Sequence, residues 1–175
     1  MQNGFLENMA MKGIWTFYLT PDGIPLSLAE LALIKAGGTI GRAFHAITYH
    51  NLVPTVSRQQ ICKAVTGGIA TVTEIKITHS ELGTGVTAPA NGDTGLQTPT
   101  AATRKTISSM AFSSNQMNFT SFWAATEATG TWREFALFLN GTGTSNSGTI
   151  FNRVAINITV GASDALTIDG TVTVS

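Results

Sequence analysis

The chain has 175 residues, of which 43% are hydrophobic, so it is long enough and apolar enough for one domain with a real core. Only 11% of the residues are charged, against about 25% in a typical soluble domain, and ten basic residues balance ten acidic ones. This composition excludes wholesale disorder and argues against a nucleic-acid-binding protein, which needs a basic stripe to meet phosphates.

The cysteine count and the hydropathy pattern exclude further classes of protein. The single cysteine, Cys62, excludes an intramolecular disulfide framework and a cysteine-based zinc site, and we expect it to be a buried small hydrophobic residue. No run of about 18–20 apolar residues is present to span a membrane, and the first residues lack the pattern of a signal peptide. The sequence therefore predicts a soluble protein made in a reducing cytoplasm.

The first third of the chain predicts two strands and one ambiguous segment. Residues 1–12 are expected to form an N-terminal arm. Residues 13–19 are rich in aromatic and β-branched side chains and predict a strand that stops at a Pro-Asp-Gly turn. Residues 26–35 fit a helix or a strand equally well, and residues 39–53 predict one long strand.

The middle of the chain predicts one helix, one strand and a long loop. Residues 56–66 form the best helical pattern, with Ser57 as the expected cap and two glycines as the stop. Residues 71–79 alternate between polar and apolar side chains and predict a strand. Residues 81–104 then predict a polar loop rich in Gly, Thr, Pro and Ala.

The remainder of the chain is predicted to be wholly β. Residues 106–112 and 116–124 are expected to pair as a hairpin, and residues 141–148 to form a flexible tip between two later strands. Further strands are predicted at residues 132–140, 150–160 and 166–174. About eight strands with one short helix at 56–66 predict an antiparallel β-sandwich, a single domain over residues 13–175.

The loop at 81–104 is the strongest candidate for a functional surface. Loops longer than about 12–15 residues are uncommon inside a compact domain and usually serve binding or packing when they are ordered. The loop contains only three charged residues. Its Gly and Pro residues restrict the backbone and favour a fixed path across its own sandwich or a neighbouring subunit. The candidate subunit-contact residues are Gly83, Thr84, Gly85, Thr87, Pro89, Asn91, Gly92, Asp93 and Thr94.

The loop contains the string Leu-Gly-Thr-Gly-Val-Thr-Ala-Pro-Ala-Asn-Gly-Asp-Thr at residues 82–94, which has the form GTGxTAPxxGDT. Further short segments of note lie at residues 50–53, 57–61, 75–78, 104–105, 132–138, 147–154 and 166–172. Together, over residues 47–175, these segments resemble a widespread family of tailed-bacteriophage virion proteins, and the GTGxTAPxxGDT string is the most specific of them. The chain departs from the pattern at residues 78–81 and in an apparent insertion at 26–35. The resemblance implies an oligomeric structural component of the particle, on a fibre, baseplate, collar or capsid, and it brings no catalytic residues.

Candidate catalytic and metal-binding patterns are weak, so we expect neither an enzyme nor a cofactor. His45, His50 and His79 form no local ligand motif, and the aspartates lie beside glycines or in turns, where they cap backbone amides. Arg133, Glu134 and Arg153 are expected to form structural ion pairs across a sheet. Trp15, Trp123 and Trp132 would stack on sugars if exposed, although apolar neighbours at alternate positions favour the core.

Taken together, the residues and the resemblance predict a non-enzymatic virion building block located in the phage particle. Its expected partners are copies of itself and other virion proteins, with no nucleic acid and no membrane span. An alternative from another class is a receptor-binding module of a phage tail that grips a host surface glycan through exposed aromatic side chains.

Overall fold

The computed structural model describes residues 11–174, which form two packed antiparallel β-sheets. The strands are β1 (Met11–Thr20), β2 (His45–His50), β3 (Ile77–Gly83), β4 (Lys105–Thr106), β5 (Ser109–Ser113), β6 (Gln116–Trp123), β7 (Gly130–Leu139), β8 (Thr149–Val160) and β9 (Ala165–Val174). One sheet has the order β2-β1-β9-β6-β5, and the other has the order β4-β3-β7-β8. The predicted antiparallel β-sandwich is confirmed. The predicted arm lies outside the described residues, except that Met11 and Lys12 belong to β1.

The core lies between the two sheets and is built from alternate side chains of every long strand. Its largest members are aromatic: Trp15 and Phe17 of β1 contact Phe135 of β7, with ring centroids 5.3 and 5.6 Å apart. Alternation of this kind buries one face of each strand and leaves the other face for a second layer.

Two helices cover the outer faces. Helix α1 (Leu28–Lys35) begins at a capping box of Ser27 and Glu30, and its Leu31 packs with Tyr18 and Leu26 over the five-stranded sheet. This resolves the ambiguous segment 26–35 in favour of a helix. Helix α2 (Thr55–Val65) lies against the four-stranded sheet, where Val56 meets an apolar cluster.

The predicted long strand at 39–53 is wrong, because only His45–His50 forms a strand. The preceding residues are held elsewhere by Arg42, which donates hydrogen bonds to Asp22, to Glu30 and to the carbonyl oxygens of Ile24 and Pro25. The bonds from Arg42, together with those from Ser27, lower the pKa of Glu30 to about 2. A guanidinium with five donors thus anchors the segment to the α1 side of the sheet.

The predicted strand at 71–79 and the predicted cap of α2 also need correction. Val72–Ile75 forms a 3-10 turn, because the Glu74 carboxylate accepts the backbone N–H groups of Ala70 and Thr71. The strand therefore starts at Ile77 and runs on to Gly83. Helix α2 begins after Pro54, and Ser57 is a buried helical residue that donates to the Ile150 carbonyl.

The predicted hairpin is present, with β5 and β6 joined by Ser114 and Asn115. Ser114 has φ = 56°, as a tight two-residue turn requires. The segment 141–148, predicted to be a flexible tip, is tied by hydrogen bonds to Glu81 and Arg104.

The thiol of Cys62 is exposed, so the prediction that it is buried is wrong. Its reactivity provides a test of the position of α2. We expect the thiol of the native protein to react with an aromatic disulfide reagent at a rate near that of the unfolded protein. A native thiol that reacts only after denaturant is added would contradict this position of α2.

Candidate functional site

The loop that follows β3 lies on the outer face of the four-stranded sheet and forms a third layer there. Its two ends pair with each other: the Thr84 N–H donates to the Thr98 carbonyl over 2.9 Å, and the Thr100 N–H donates to the Leu82 carbonyl over 3.0 Å. Between them Leu96 packs on an apolar cluster formed by Ala136, Phe138 and Ile150. The loop therefore has a fixed path across its own sandwich.

Glu134 of β7 is the main anchor of this path. Its side chain is fully buried, and its two oxygens accept hydrogen bonds from three backbone N–H groups of the loop. Oε1 accepts from Gly85 and Thr98 at 3.1 and 2.7 Å, and Oε2 accepts from Gln97 at 3.0 Å. One carboxylate thus accepts hydrogen bonds from backbone amides near both ends of the loop, and a neutral side chain would bind these amides more weakly.

Arg153 of β8 compensates the buried charge of Glu134. Its Nε donates to Glu134 Oε2 over 2.9 Å, its Nη1 to Asp93 Oδ2 over 2.9 Å, and its Nη2 to the Thr87 carbonyl over 3.0 Å. The guanidinium is buried as well. Because all three nitrogens of the guanidinium have partners, the desolvation cost of the pair is offset by charge-assisted hydrogen bonds.

A second buried pair holds the far end of the loop. Glu81 Oε2 accepts from Arg104 Nη1 at 2.8 Å and from the backbone N–H of Asn146 at 2.9 Å. Arg104 also donates to the carbonyl oxygens of Thr142 and Ser147, and its guanidinium lies 4.2 Å from the Phe138 ring centroid. This pair joins the loop end to the turn between β7 and β8.

Burial has the largest effect on the pKa values of Arg104 and of the neighbouring His79. Desolvation lowers the pKa of Arg104, and the hydrogen bond that Arg104 donates to Glu81 opposes that shift. Desolvation also lowers the pKa of the neighbouring His79 imidazole, and the positive charge of Arg104 adds to this effect. His79 is therefore held toward its neutral form beside a permanent cation.

Two glycines allow the loop to approach Glu134 closely. A Cβ atom at Gly83 would lie 2.6 Å from Glu134 Oε1 and from the Thr98 carbonyl oxygen. A Cβ atom at Gly85 would lie 2.5 Å from Glu134 Oε1. These distances are shorter than side-chain carbons tolerate, so the Gly-Thr-Gly spacing of the sequence has a packing explanation.

The sequence-predicted contact residues divide between the inner and outer sides of the loop. Gly83 and Gly85 are buried, and Pro89 and Asp93 are partly buried, with Asp93 bonded to Arg153. The residues that face outward are Thr84, Thr87, Asn91, Gly92 and Thr94, together with the neighbouring Val86. The outer side of the loop is therefore uncharged.

Of the three candidate ion-pair residues, two form an ion pair and one does not. Glu134 and Arg153 meet in the buried pair described above, in contact with the loop. Arg133 donates to the Asn157 amide oxygen and has no carboxylate partner among residues 11–174, so the ion-pair interpretation is wrong for this side chain. Glu81 and Arg104 form a further buried ion pair that was not predicted, although both charged residues stand at the ends of the loop in the sequence.

The candidate exposed aromatic side chains are buried. Trp15, Trp123 and Trp132 are 1%, 0% and 5% exposed, respectively. Trp123 and Trp132 donate their indole N–H groups to the carbonyl oxygens of Thr103 and Ala128. Their position in the core removes them as sugar-stacking surfaces, because each one packs between the sheets.

Glu134→Gln tests the role of the carboxylate as anchor of the loop. In either orientation the NH2 group of the amide would face N–H donors, and Arg153 would lose the negative charge that compensates it. We therefore expect a loss of about 3 kcal/mol in the free energy of unfolding. Urea denaturation measures the loss. The matched control is Glu127→Gln, whose partly exposed pair with Lys105 should contribute less than about 1 kcal/mol. Equal effects of the two substitutions would contradict the anchoring role.

Gly85→Ala tests the close approach of the loop to the sheet. The added methyl group would push against Glu134 Oε1, and we expect destabilisation by about 1–3 kcal/mol together with faster proteolysis of the loop. Gly92→Ala is the control in the same loop, because a Cβ atom there meets nothing within 4 Å. A variant Gly85→Ala that melts like Gly92→Ala would show that the loop does not lie on Glu134.

Within residues 11–174 no group of three or more His, Cys, Asp or Glu side chains is placed to hold a metal ion. No helix in the same part of the chain has the length and apolar character needed to cross a membrane. No protein-family model, no curated protein and no solved structure matches this chain.

Proposed function

We propose that the protein is a non-enzymatic structural component of a bacteriophage particle, assembled with copies of itself and with other virion proteins. The observation that carries this proposal is the disposition of charge. Most of the few charged side chains in residues 11–174 are held in ion pairs within the fold, which leaves an exterior that is poor in unpaired charge.

The ion pairs account for most charged side chains of the described residues. Glu81, Asp93, Arg104, Glu134 and Arg153 hold the loop, and Asp169 is buried against Lys35. The charged residues of the range 11–174 outside ion pairs are Lys12, Arg58, Lys63, Glu74, Lys76, Arg133 and Asp164.

A polar exterior that is poor in charge suits a protein in permanent contact with neighbours. Each exposed charge that enters an interface must lose its hydration, and the loss is repaid only by a well-placed partner. Thr, Asn and Gly surfaces avoid this cost and still form hydrogen bonds across an interface. A protein that works as a free monomer gains solubility from surface charge instead.

The ordered loop adds to this argument. Its outer side presents uncharged residues and the 81% exposed Val86 on a backbone already fixed by Glu134. A surface that is ordered before it binds loses less conformational entropy on association. We therefore propose the outer side of the loop as a contact with a neighbouring virion protein.

The bacteriophage setting comes from the resemblance of residues 82–94 and the other segments to tailed-phage virion proteins. Fibre, baseplate, collar and capsid are all places where such a neutral sandwich can be packed. The glycan-binding alternative is not favoured, because the three tryptophans on which it depended are in the core.

The proposal is tested by localising the protein in purified phage particles. Gold-labelled antibodies raised against the recombinant protein should mark one fixed position on intact particles, and the protein should remain with particles through density-gradient purification. Particles from a phage in which the coding sequence is interrupted are the control. A label confined to the soluble lysate would contradict any structural role in the virion.

A further inference from the structure

Strand β5 forms an open flank of the sandwich. It is the outermost strand of the five-stranded sheet and pairs only with β6. The four-stranded sheet ends on the same flank at β4, which is two residues long and connects to β5 through residues 107–108. The facing sheet therefore stops short, and β5 projects beyond it.

Two large apolar side chains of β5 lie uncovered on this flank. Met110 is opposite Phe119 and Phe112 is opposite Met117 in the register with β6, so all four share the inward face of the sheet. Phe119 is in the core, but Met110 is 42% exposed and Phe112 is 85% exposed. Together with Ile75 and Ile77 they line an open cleft of about 280 Å³.

The edge of β5 has none of the features that normally block pairing with another strand. Its sequence, Ser-Met-Ala-Phe-Ser, contains no charge and no proline, and its register with β6 is unbroken. The other edges differ. On β2 the inward side chains Ile47 and Tyr49 are packed against the core, and β8 is bridged at Arg153 by Leu52.

We propose that a second copy of this chain binds here by antiparallel pairing of β5 with β5, which joins the two five-stranded sheets into one. The proposal identifies a self-contact for the structural role proposed above and rests on that role. The twofold axis passes through Ala111. In this register Phe112 of each copy lies opposite Met110 of the other, and Ser109 lies opposite Ser113.

The self-complementary pattern of β5 favours a second copy of the chain as the partner, and it favours the register with the axis through Ala111. An axis through Ala111 pairs both exposed apolar side chains with apolar partners, whereas an axis through Met110 or Phe112 pairs one of them with a serine. An antiparallel edge contact has its axis perpendicular to the sheet, so both inward faces stay on one side. No side chain of β5 is charged, so the paired strands themselves bring no like charges together. Lys76 lines the cleft on one side of the strand, and Lys35, which is paired with Asp169, lies on the other side.

A different occupant would be the segment 1–10, Met-Gln-Asn-Gly-Phe-Leu-Glu-Asn-Met-Ala. Strand β1 begins at the end of the sandwich that carries the β5–β6 turn, because Met11 pairs with Val174 and Gln116 pairs with Thr173. The edge of β5 lies three strands away, about 14 Å. The experiment therefore includes a variant without residues 1–10.

The test is disulfide trapping at the twofold axis in the full chain. In a Cys62→Ser background, Ala111→Cys places two thiols opposite each other, where Cβ atoms of paired residues lie about 4.5–5.5 Å apart. Mild oxidation should trap a dimer at least about tenfold faster than in Ala162→Cys, an exposed control in the turn between β8 and β9. Trapping should persist when residues 1–10 are deleted.

A second variant removes the apolar contact and keeps the strand. Light scattering should show that Met110→Ser with Phe112→Ser raises the dimer dissociation constant at least about tenfold, with an unchanged melting profile of the monomer. Val72→Ser, at a 77% exposed apolar site elsewhere, should leave dimerisation unchanged. Equal trapping of Ala111→Cys and Ala162→Cys, or loss of trapping on deletion of residues 1–10, would overturn the β5 contact.

These outcomes are separable from those of the proposed function. Particles that contain the protein while Ala111→Cys fails to trap a dimer overturn the β5 contact and leave the structural role standing. A trapped dimer of a protein that is absent from particles overturns the structural role and leaves the self-contact standing.

Discussion

The arrangement of the four-stranded sheet and its covering loop depends on the buried contact between Glu134 and Arg153. Glu134 accepts three backbone N–H groups from the loop, and Arg153 neutralises it while reaching Asp93 and the Thr87 carbonyl. Neither ion would be tolerable alone in this position, because an unpaired buried charge costs several kcal/mol. Backbone N–H and carbonyl groups of the loop replace the water molecules that both side chains lose on burial. The two side chains in turn hold the loop in place.

This mutual dependence explains how a polar segment of this length stays ordered with little apolar packing of its own. Leu96 supplies one apolar contact, and most of the remaining attachment is through hydrogen bonds to ions. The same arrangement removes charge from the exterior, since the carboxylates and guanidiniums are turned inward. The order of the loop and the absence of charge on its outer side are thus consequences of one set of contacts, and both suit a protein that is packed against neighbours.

The sequence predicted the sandwich because apolar side chains alternate over residues 154–160 of β8 and 166–174 of β9, as burial of one face requires. It also predicted an ordered loop from its Gly and Pro punctuation. The wrong predictions for residues 39–53 and 71–79 have local causes that the alternation of side chains does not reveal. Arg42 and Glu74 redirect residues 39–44 and 72–75 through hydrogen bonds to backbone atoms, and such bonds depend on distant partners. The pairing of Glu81 with Arg104 likewise requires the folded loop.

The Glu134 carboxylate holds the backbone of the loop, and amide hydrogen exchange measures this attachment residue by residue. The N–H groups of Gly85, Gln97 and Thr98 all donate to this carboxylate. We predict that these three amides exchange as slowly as those in the centre of β7, because opening them requires a buried ion to lose its partners. Exchange of the three amides at the rate of an unstructured peptide would contradict the account.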